Sequence, residues 1–370
     1  ENTYNTRAPS GSFSASRPTP SDSSIKAAQG RYATGFAAKN FTKSELDSGL
    51  FGDANGNAVP GEDSDLAKIV DYVQAVPSAR ENALADIYHS NPVVLPPLTT
   101  DSRWLNTPDA QLSSFLRAVA TPRTTANPDI PADYGTYGRP GVVFVGTNDG
   151  VLHAFNLDNW KDKSNVEKKD GHEFWGFVPP ALFGNMASVA APSHVEMFDG
   201  TPQIRNMLLS RDEDTRKGMY RTILLSALGG APAYVAMDIT VADQPPVFLW
   251  QFSAPAMGRT VATPALAQAR ILWTGDDDKT DTRERAIAIL PGGLGTSPDD
   301  PTCTTTTLVD GKTLAKFPAS GARAKVRCWA QRGRSLYVVD VATGQLIQEF
   351  DHQHFPSPLT GAVAVDGQGL

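Results

Sequence analysis

Hydrophobic and polar positions fall into three regimes along the chain. Over residues 1–30, Ser10, Ser12, Ser14, Ser16, Ser21, Ser23 and Ser24 stand among Pro18 and Pro20 with hardly an apolar residue between them. Burial there cannot offset the entropy of ordering, so this segment reads as a disordered linker. Two stretches then carry helical spacing. Ser64 precedes Leu66, Ile69, Val70 and Val73, one face of a helix over about 65–75. Thr107-Pro108 offers a cap and a first-turn proline for a second helix over 108–120, with Leu112, Phe115, Leu116 and Val119 as its apolar face. From about residue 86 onward, apart from that helix, the apolar runs are short, bounded by Gly, Pro, Asn and Asp. They read as strands and turns of an all-β fold.

Those strands repeat one grammar three times: an apolar strand, a Gly-containing turn, an apolar strand ending in Asp or Asn, then an aromatic-bearing strand. The first set is Val142 to Gly146, the turn Thr147-Asn148-Asp149-Gly150, Val151 to Asn156, and Glu173 to Phe177. The second is Thr222 to Ser226, Gly229-Gly230, Tyr234 to Asp238, and Val247 to Phe252. The third is Ala286 to Leu290, a long loop, Leu336 to Asp340, and Gln345 to Phe350. Asn148-Asp149-Gly150 is a strong hairpin signal, because these residues tolerate positive φ. Before each set a Ser/Thr and Pro signature opens another strand, at Ser90-Asn91-Pro92, Thr201-Pro202 and Thr263-Pro264, and again at Ser357-Pro358. Proline suits the first residue of a strand, where no ladder donor is needed. Four strands per unit make one blade of a β-propeller. The terminal acids lie 82 and 102 residues apart, which implies blades with long insertions. Three blades are complete, and Gly361 to Val365 begins a fourth. The chain thus divides into a linker (1–30), a lead-in with a helix (31–85) and blades (86–370).

Composition narrows the function classes. The net charge of −7, with no basic stripe, argues against nucleic acid as a partner. No apolar run reaches the ~18 residues of a membrane span. Glu1 is no initiator Met and nothing near it resembles a signal peptide, so the chain reads as a mature protein or a fragment. Cys303 and Cys328 bracket a Thr-rich loop in the third blade. A disulfide there places the protein in an oxidising compartment, and the alternative is a reduced, inert pair.

The quoted stretches resemble a known family. VVFVGTNDGVLHAFN (Val142 to Asn156) looks like the blade signature of the C-terminal propeller of PilY-type type IV pilus biogenesis proteins. Arg80 to Pro92 resembles that family's R-x-x-x-L-G-D-I-x-H-S-x-P lead-in, with Ala85 in place of the usual Gly. Glu173 to Pro179 is similar to its aromatic segment, followed by an ALxxN-like turn at Ala181 to Asn185. The resemblance covers about residues 66–365. It implies a secreted protein, exported through the periplasm to the cell surface at the pilus tip, that acts in pilus assembly, in restraining retraction and in adhesion. Minor pilins or other tip subunits, and a host or surface ligand, are the implied partners.

Candidate chemistry is sparse. Asp53, Asn55, Asn57, Asp63 and Asp65 place oxygen ligands at alternating positions before a helix, as a calcium loop requires. The order departs from a standard loop, lacking an acid at position five and a bidentate Glu at twelve, and a helix-capping turn is the competing reading. The family's regulatory calcium loop would start near Asp366. Asp276-Asp277-Asp278 reads as a solvated loop. His352 and His354 share a strand face as surface histidines, and His153 reads as packing between Val151 and Phe155. No G-x-S-x-G elbow, phosphate loop or H-E-x-x-H is present. The expectation is therefore a non-enzymatic protein. Two alternatives remain: a dehydrogenase of the pyrroloquinoline quinone type, whose propellers use similar blades, and an outer-envelope scaffold with no pilus role.

Overall fold

The repeating strands form three antiparallel sheets in a computed structural model that describes residues 31–32, 54, 62–75, 79, 82, 84–99, 102–120, 138–161, 166–189, 195–211, 218–274, 280–295, 308–309, 312–313, 331–355 and 357–365. The Ser/Pro-rich segment 1–30, Asp276 to Asp278 and Asp366 lie outside the described residues.

A two-residue strand, β1 (Arg31–Tyr32), and a helix, α1 (Asp63–Val73), precede the blades. Blade 1 consists of β2 (Val93–Leu95), β3 (Val142–Gly146) and β4 (Leu152–Asn156), then, beyond a short hairpin of β5 (Trp160–Lys161) and β6 (Glu167–Lys168), β7 (Glu173–Val178). Its strand order is β2-β3-β4-β7, with β1 added outside β7. Blade 2 is the meander β8 (Gln203–Arg211), β9 (Gly218–Ala227), β10 (Tyr234–Asp238) and β11 (Val247–Phe252). Blade 3 is β12 (Ala265–Thr274), β13 (Thr280–Pro291), β16 (Leu336–Asp340) and β17 (Leu346–Phe350). The long loop between β13 and β16 carries the small hairpin of β14 (Leu308–Val309) and β15 (Lys312–Thr313). Pro92, Pro202 and Pro264 each stand directly before a first strand, where the missing N–H costs no ladder bond.

Register makes the blades superposable residue by residue. Leu95, Arg205 and Ala267 pair with Val142, Ile223 and Ile287, which pair in turn with Asn156, Asp238 and Asp340. Between third and fourth strands the register shifts at one equivalent place in every blade, at Ala154/Phe155, Ala236/Met237 and Val338/Val339. Such a bulge sharpens twist and re-aims a side chain. Next to it, Trp175 Nε1 donates to Ala242 O at 2.9 Å and Trp250 Nε1 to Val341 O at 2.7 Å, each in the following blade. Ring contacts run the same way, Phe177 against Phe248 at 6.1 Å and Phe252 against Tyr337 at 5.3 Å between centroids. One core is shared by blades 1 and 2 and a second by blades 2 and 3, so each fourth strand buries its aromatics against the next blade.

The two helices lie close to their predicted places, with one correction. Helix α2 (Ala110–Ala120) is capped by Asp109, whose Oδ1 accepts from the N–H of Gln111 (2.8 Å) and Leu112 (3.1 Å). The helix therefore starts at 110, after Thr107-Pro108, because a carboxylate two residues on is the better N-cap. Phe115, Leu116 and Val119 pack against Leu208, Tyr220 and Val241 of blade 2. Pro180–Asn185 forms a 3₁₀ turn that runs into α3 (Met186–Val189), a helical element absent from the strand-and-turn reading. Gly361 to Val365 forms no strand among the described residues; Val363 N donates to Thr263 O at 3.2 Å without a ladder. His352 and His354 do not share a strand either, since β17 ends at Phe350 and a turn follows, closed by His354 Nδ1 against Asp351 Oδ1 at 2.9 Å.

Candidate functional site

The turns between second and third strands gather at one end of the blade row, threaded by the segments that link one blade to the next. Asn148, in the blade 1 turn, ties three segments together. Its N–H donates to Asp86 O (3.1 Å), its Nδ2 to Asp86 Oδ2 (2.7 Å), and its Oδ1 accepts from Met197 N (3.0 Å). Ser90 Oγ accepts from Gly146 N at 2.9 Å. His89 N donates to Asp199 Oδ1 at 2.6 Å, its ring Nδ1 lies against Asp199 Oδ2, and Thr201 Oγ1 donates to His89 O at 3.3 Å. Asp86, His89, Ser90 and Asn91 of the motif thus each have a partner on blade 1 or on the linker to blade 2, with Asn91 N donating to Thr201 Oγ1 (3.1 Å). The motif is a clamp.

The linkers between later blades repeat the arrangement. Gly229 N donates to Thr260 O at 3.1 Å, Gly258 N to Gly292 O at 2.8 Å, and Arg259 and Leu294 exchange a backbone pair at 3.0 and 2.7 Å. Such close threading leaves no room for side chains. A Cβ on Gly258 would stand 1.8 Å from Leu294 O, and Gly229 combines φ of +69° with 2.7 Å to Asp199 Cβ.

At the opposite end of the third strands the terminal acids differ by blade. Arg285 Nε and Nη2 both reach Asp340 Oδ2 at 2.8 Å, and Asp340 Oδ1 accepts from the N–H and hydroxyl of Thr343, both at 2.9 Å. Arg221 Nε lies 3.4 Å from Asp238 Oδ2, whose Oδ1 accepts from Thr240 N (2.9 Å) and Oγ1 (2.6 Å). Blade 1 lacks both partners, with Pro140 at the arginine position and Asn156 at the acid. The neighbouring Arg139 turns towards Thr222 Oγ1 and Pro96 O, both at 3.4 Å, and burial lowers its pKa to about 10. Its Nε and Asn156 Oδ1 are buried without a hydrogen-bond partner. Burial pushes the Asp340 carboxyl above the usual range, while Arg285 and then Thr343 pull it back. The Arg–Asp pairs escaped sequence reading, although an Arg directly before each apolar run (Arg221 before Thr222 to Ser226, Arg285 before Ala286 to Leu290) was their signal.

His153 is more than packing. It stacks on Phe155 as its strand spacing implies, at 5.5 Å, yet its Nδ1 lies 2.6 Å from Glu173 Oε1 and its Nε2 3.1 Å from Thr147 Oγ1. A hydroxyl, an imidazole and a carboxylate in line can activate a nucleophile. Here the hydroxyl proton points at acceptor-only groups, Asp149 Oδ1 and Val151 O, and Thr147 is 1% exposed, so no substrate can reach it. The network pins the turn instead.

Of the candidate calcium ligands, Asp53, Asn55 and Asn57 lie outside the described residues, as do Cys303 and Cys328. Asp63 is exposed at the start of α1, whereas Asp65 is buried, accepting from Ala54 N at 2.8 Å and Glu62 N at 3.1 Å. Lys68 Nζ donates to Ala54 O at 2.7 Å. Among the described residues, no group of three or more His, Cys, Asp or Glu side chains is arranged to hold a metal ion, and no helix is long and apolar enough to cross a membrane.

Comparison with known proteins points the same way as the motif. The chain is 28% identical over 236 residues to the type IV pilus biogenesis factor PilY1 of Pseudomonas aeruginosa strain UCBPP-PA14, a match covering 59% of this chain. The chain is a PilY-type relative. It is also 24% identical over 283 residues, 71% of its length, to the PilY1 homolog of Xylella fastidiosa strain Temecula1. The matches span only 17% and 20% of those longer relatives. No family profile matches the chain, and no solved structure gives a significant match. Against the PilY-type pattern, the lead-in motif acquires a physical meaning, since its Asp, His and Ser hold the linkers between blades in place.

Proposed function

We infer that this chain is the propeller portion of a type IV pilus-associated surface protein that works by binding rather than by catalysis. The observation that carries this reading is the similarity to proteins whose names describe type IV pilus biogenesis. A rigid row of blades with variable loops is a suitable platform for binding, and the Thr147 hydroxyl that faces His153 is buried. In this reading the protein leaves the cell through the periplasm, sits at the pilus tip, contacts minor pilins or other tip subunits, and acts in assembly, in restraint of retraction and in adhesion.

Deleting the gene tests it: surface pili and twitching motility should fall and return on complementation, and wild-type piliation in the deletion strain would refute the reading. Calcium enters as a regulator held by Asp53, Asn55, Asn57, Asp63 and Asp65, ahead of α1, with Asp65 drawing the ends of the loop together. Calorimetry should give stoichiometric calcium binding that disappears in Asp53→Ala. Equal behaviour of parent and variant would leave Asp65 as a helix cap only.

A further inference from the structure

We propose that Arg139 anchors a small-anion site at the junction of blades 1 and 2, which takes a planar, singly charged oxyanion such as formate, acetate or bicarbonate. Among the described residues the buried arginines are Arg139, Arg221, Arg285 and Arg334. Three have an acid at hand. Arg285 holds Asp340 along its Nε–Nη2 edge, Arg221 faces Asp238, and Arg334 lies in the field of Asp351. Arg139 pairs with no acid among the described residues, and burial alone shifts its pKa, with no carboxylate pulling the other way.

The guanidinium meets two neutral oxygens instead. Nη1 donates to Thr222 Oγ1 of β9 and Nη2 to Pro96 O, both at 3.4 Å, beyond the ~2.7–3.2 Å of an ordinary N–H···O bond. Nε is buried with no partner. The Thr222 hydroxyl passes its own proton to Asn206 Oδ1 at 2.8 Å, so its oxygen accepts from Arg139 but adds no charge. With a pKa of about 10, Arg139 stays protonated at neutral pH. A full positive charge therefore stands out of water with no protein charge to balance it, an arrangement that folded chains otherwise resolve by pairing.

The donors set the class of ligand. One guanidinium carries one charge, so a monovalent anion neutralises the site, whereas a phosphate dianion would bury a surplus negative charge. The Nε–Nη2 edge is the one that grips a carboxylate at Arg285, and a flat oxyanion matches its two parallel N–H groups. Size is limited by burial, since Arg139 is 5% exposed. Pro96, whose carbonyl meets Nη2, is itself exposed, so this side of the site borders solvent. The anion steadies a guanidinium that touches the segment after β2 at Pro96 and blade 2 at Thr222, so its binding is coupled to the stability of the folded chain.

Calorimetric titration of sodium formate into the full chain tests the site, alongside urea melts in formate and in chloride at matched ionic strength. Formate should bind saturably, one per chain. At ten times its dissociation constant it should multiply the folded-to-unfolded ratio by about 11 relative to chloride. Arg139→Met should lose both the heat of binding and the formate-specific shift. Arg139→Lys keeps the charge without the fork and should bind formate at least tenfold more weakly. Arg270→Met, at an exposed position of β12, should behave as the parent. In the parent, the Arg139 Nε–H resonance should move with formate while that of Arg285 stays in place, a reading that needs no variant to fold. Absence of saturable binding, equal midpoints in formate and chloride, an unmoved Arg139 resonance, or binding that survives Arg139→Met would each overturn the proposal.

Discussion

Removing Arg285 should cost far more than an exposed ion pair is worth. Asp340 is fully buried, and both guanidinium contacts to it are 2.8 Å long. An exposed pair contributes at most about 1 kcal/mol, but deleting one partner of a buried pair leaves a charge that neither water nor a counterion stabilises, at about 3–5 kcal/mol. Arg285→Met should therefore lower unfolding free energy by about that amount, a factor of about 150 to 5,000 in the folded-to-unfolded ratio. Blade 1 shows the remedy, because Pro140 and Asn156 replace both members at once. In Arg285→Met/Asp340→Asn the carboxylate is gone while an amide oxygen still faces Thr343, so the double variant should regain about 2 kcal/mol or more of what the single variant loses. Urea melts followed by tryptophan fluorescence suit the test, since the Trp250 indole donates to Val341, next to Asp340. The pH dependence has a definite sign. Burial raises the folded Asp340 carboxyl above its unfolded value, so its contribution to stability is present below the unfolded pKa and is lost as pH rises through the folded one. Without the opposing pull of Arg285 that loss deepens, and the deficit of Arg285→Met should shrink as pH falls from 7 towards 4. A deficit under about 1 kcal/mol, a deficit that grows on acidification, or a double variant no better than the single would refute the reasoning.

Three further outcomes are open to measurement. Gly258→Ala should lower stability by at least about 3 kcal/mol in a thermal melt, because its Cβ meets the Leu294 carbonyl, whereas Gly361→Ala, with nothing within 4 Å, should change it by less than about 0.5 kcal/mol. Asp199→Asn weakens the bonds that hold His89, so amide hydrogen exchange should speed up through residues 84–99 while β9 and β13 keep their protection; uniform protection would show that the clamp is dispensable. Mass spectrometry of the unreduced protein should find the peptides containing Cys303 and Cys328 linked, and free thiols on both would remove the argument for an oxidising compartment.

Local physics made much of this fold legible. Alternation, a proline at the start of each first strand and glycine in the turns act over a few residues, and they placed every strand of the three blades within a residue or two, save for the lengths of the two long hairpins. Helix spacing did the same for α1 and α2, although the choice of Asp109 over Thr107 as cap depended on which side chain could reach the free N–H groups. What the sequence could not convey is pairing at a distance. His89 and Asp199 are 110 residues apart, and Arg285 and Asp340 are 55 apart. Nothing in either local pattern names the partner, because the bond exists only once linkers and sheets have been brought together. His153 shows the limit most plainly. Strand alternation correctly put its ring beside Phe155, but only the bulge at Ala154/Phe155 and the position of Glu173 across it turn a packed histidine into a hydrogen-bonded one. Burial is likewise a property of neighbours. Phe198 is sealed because Gly146 of the blade before it packs against its ring, whereas Tyr88, in the lead-in motif, is 61% exposed.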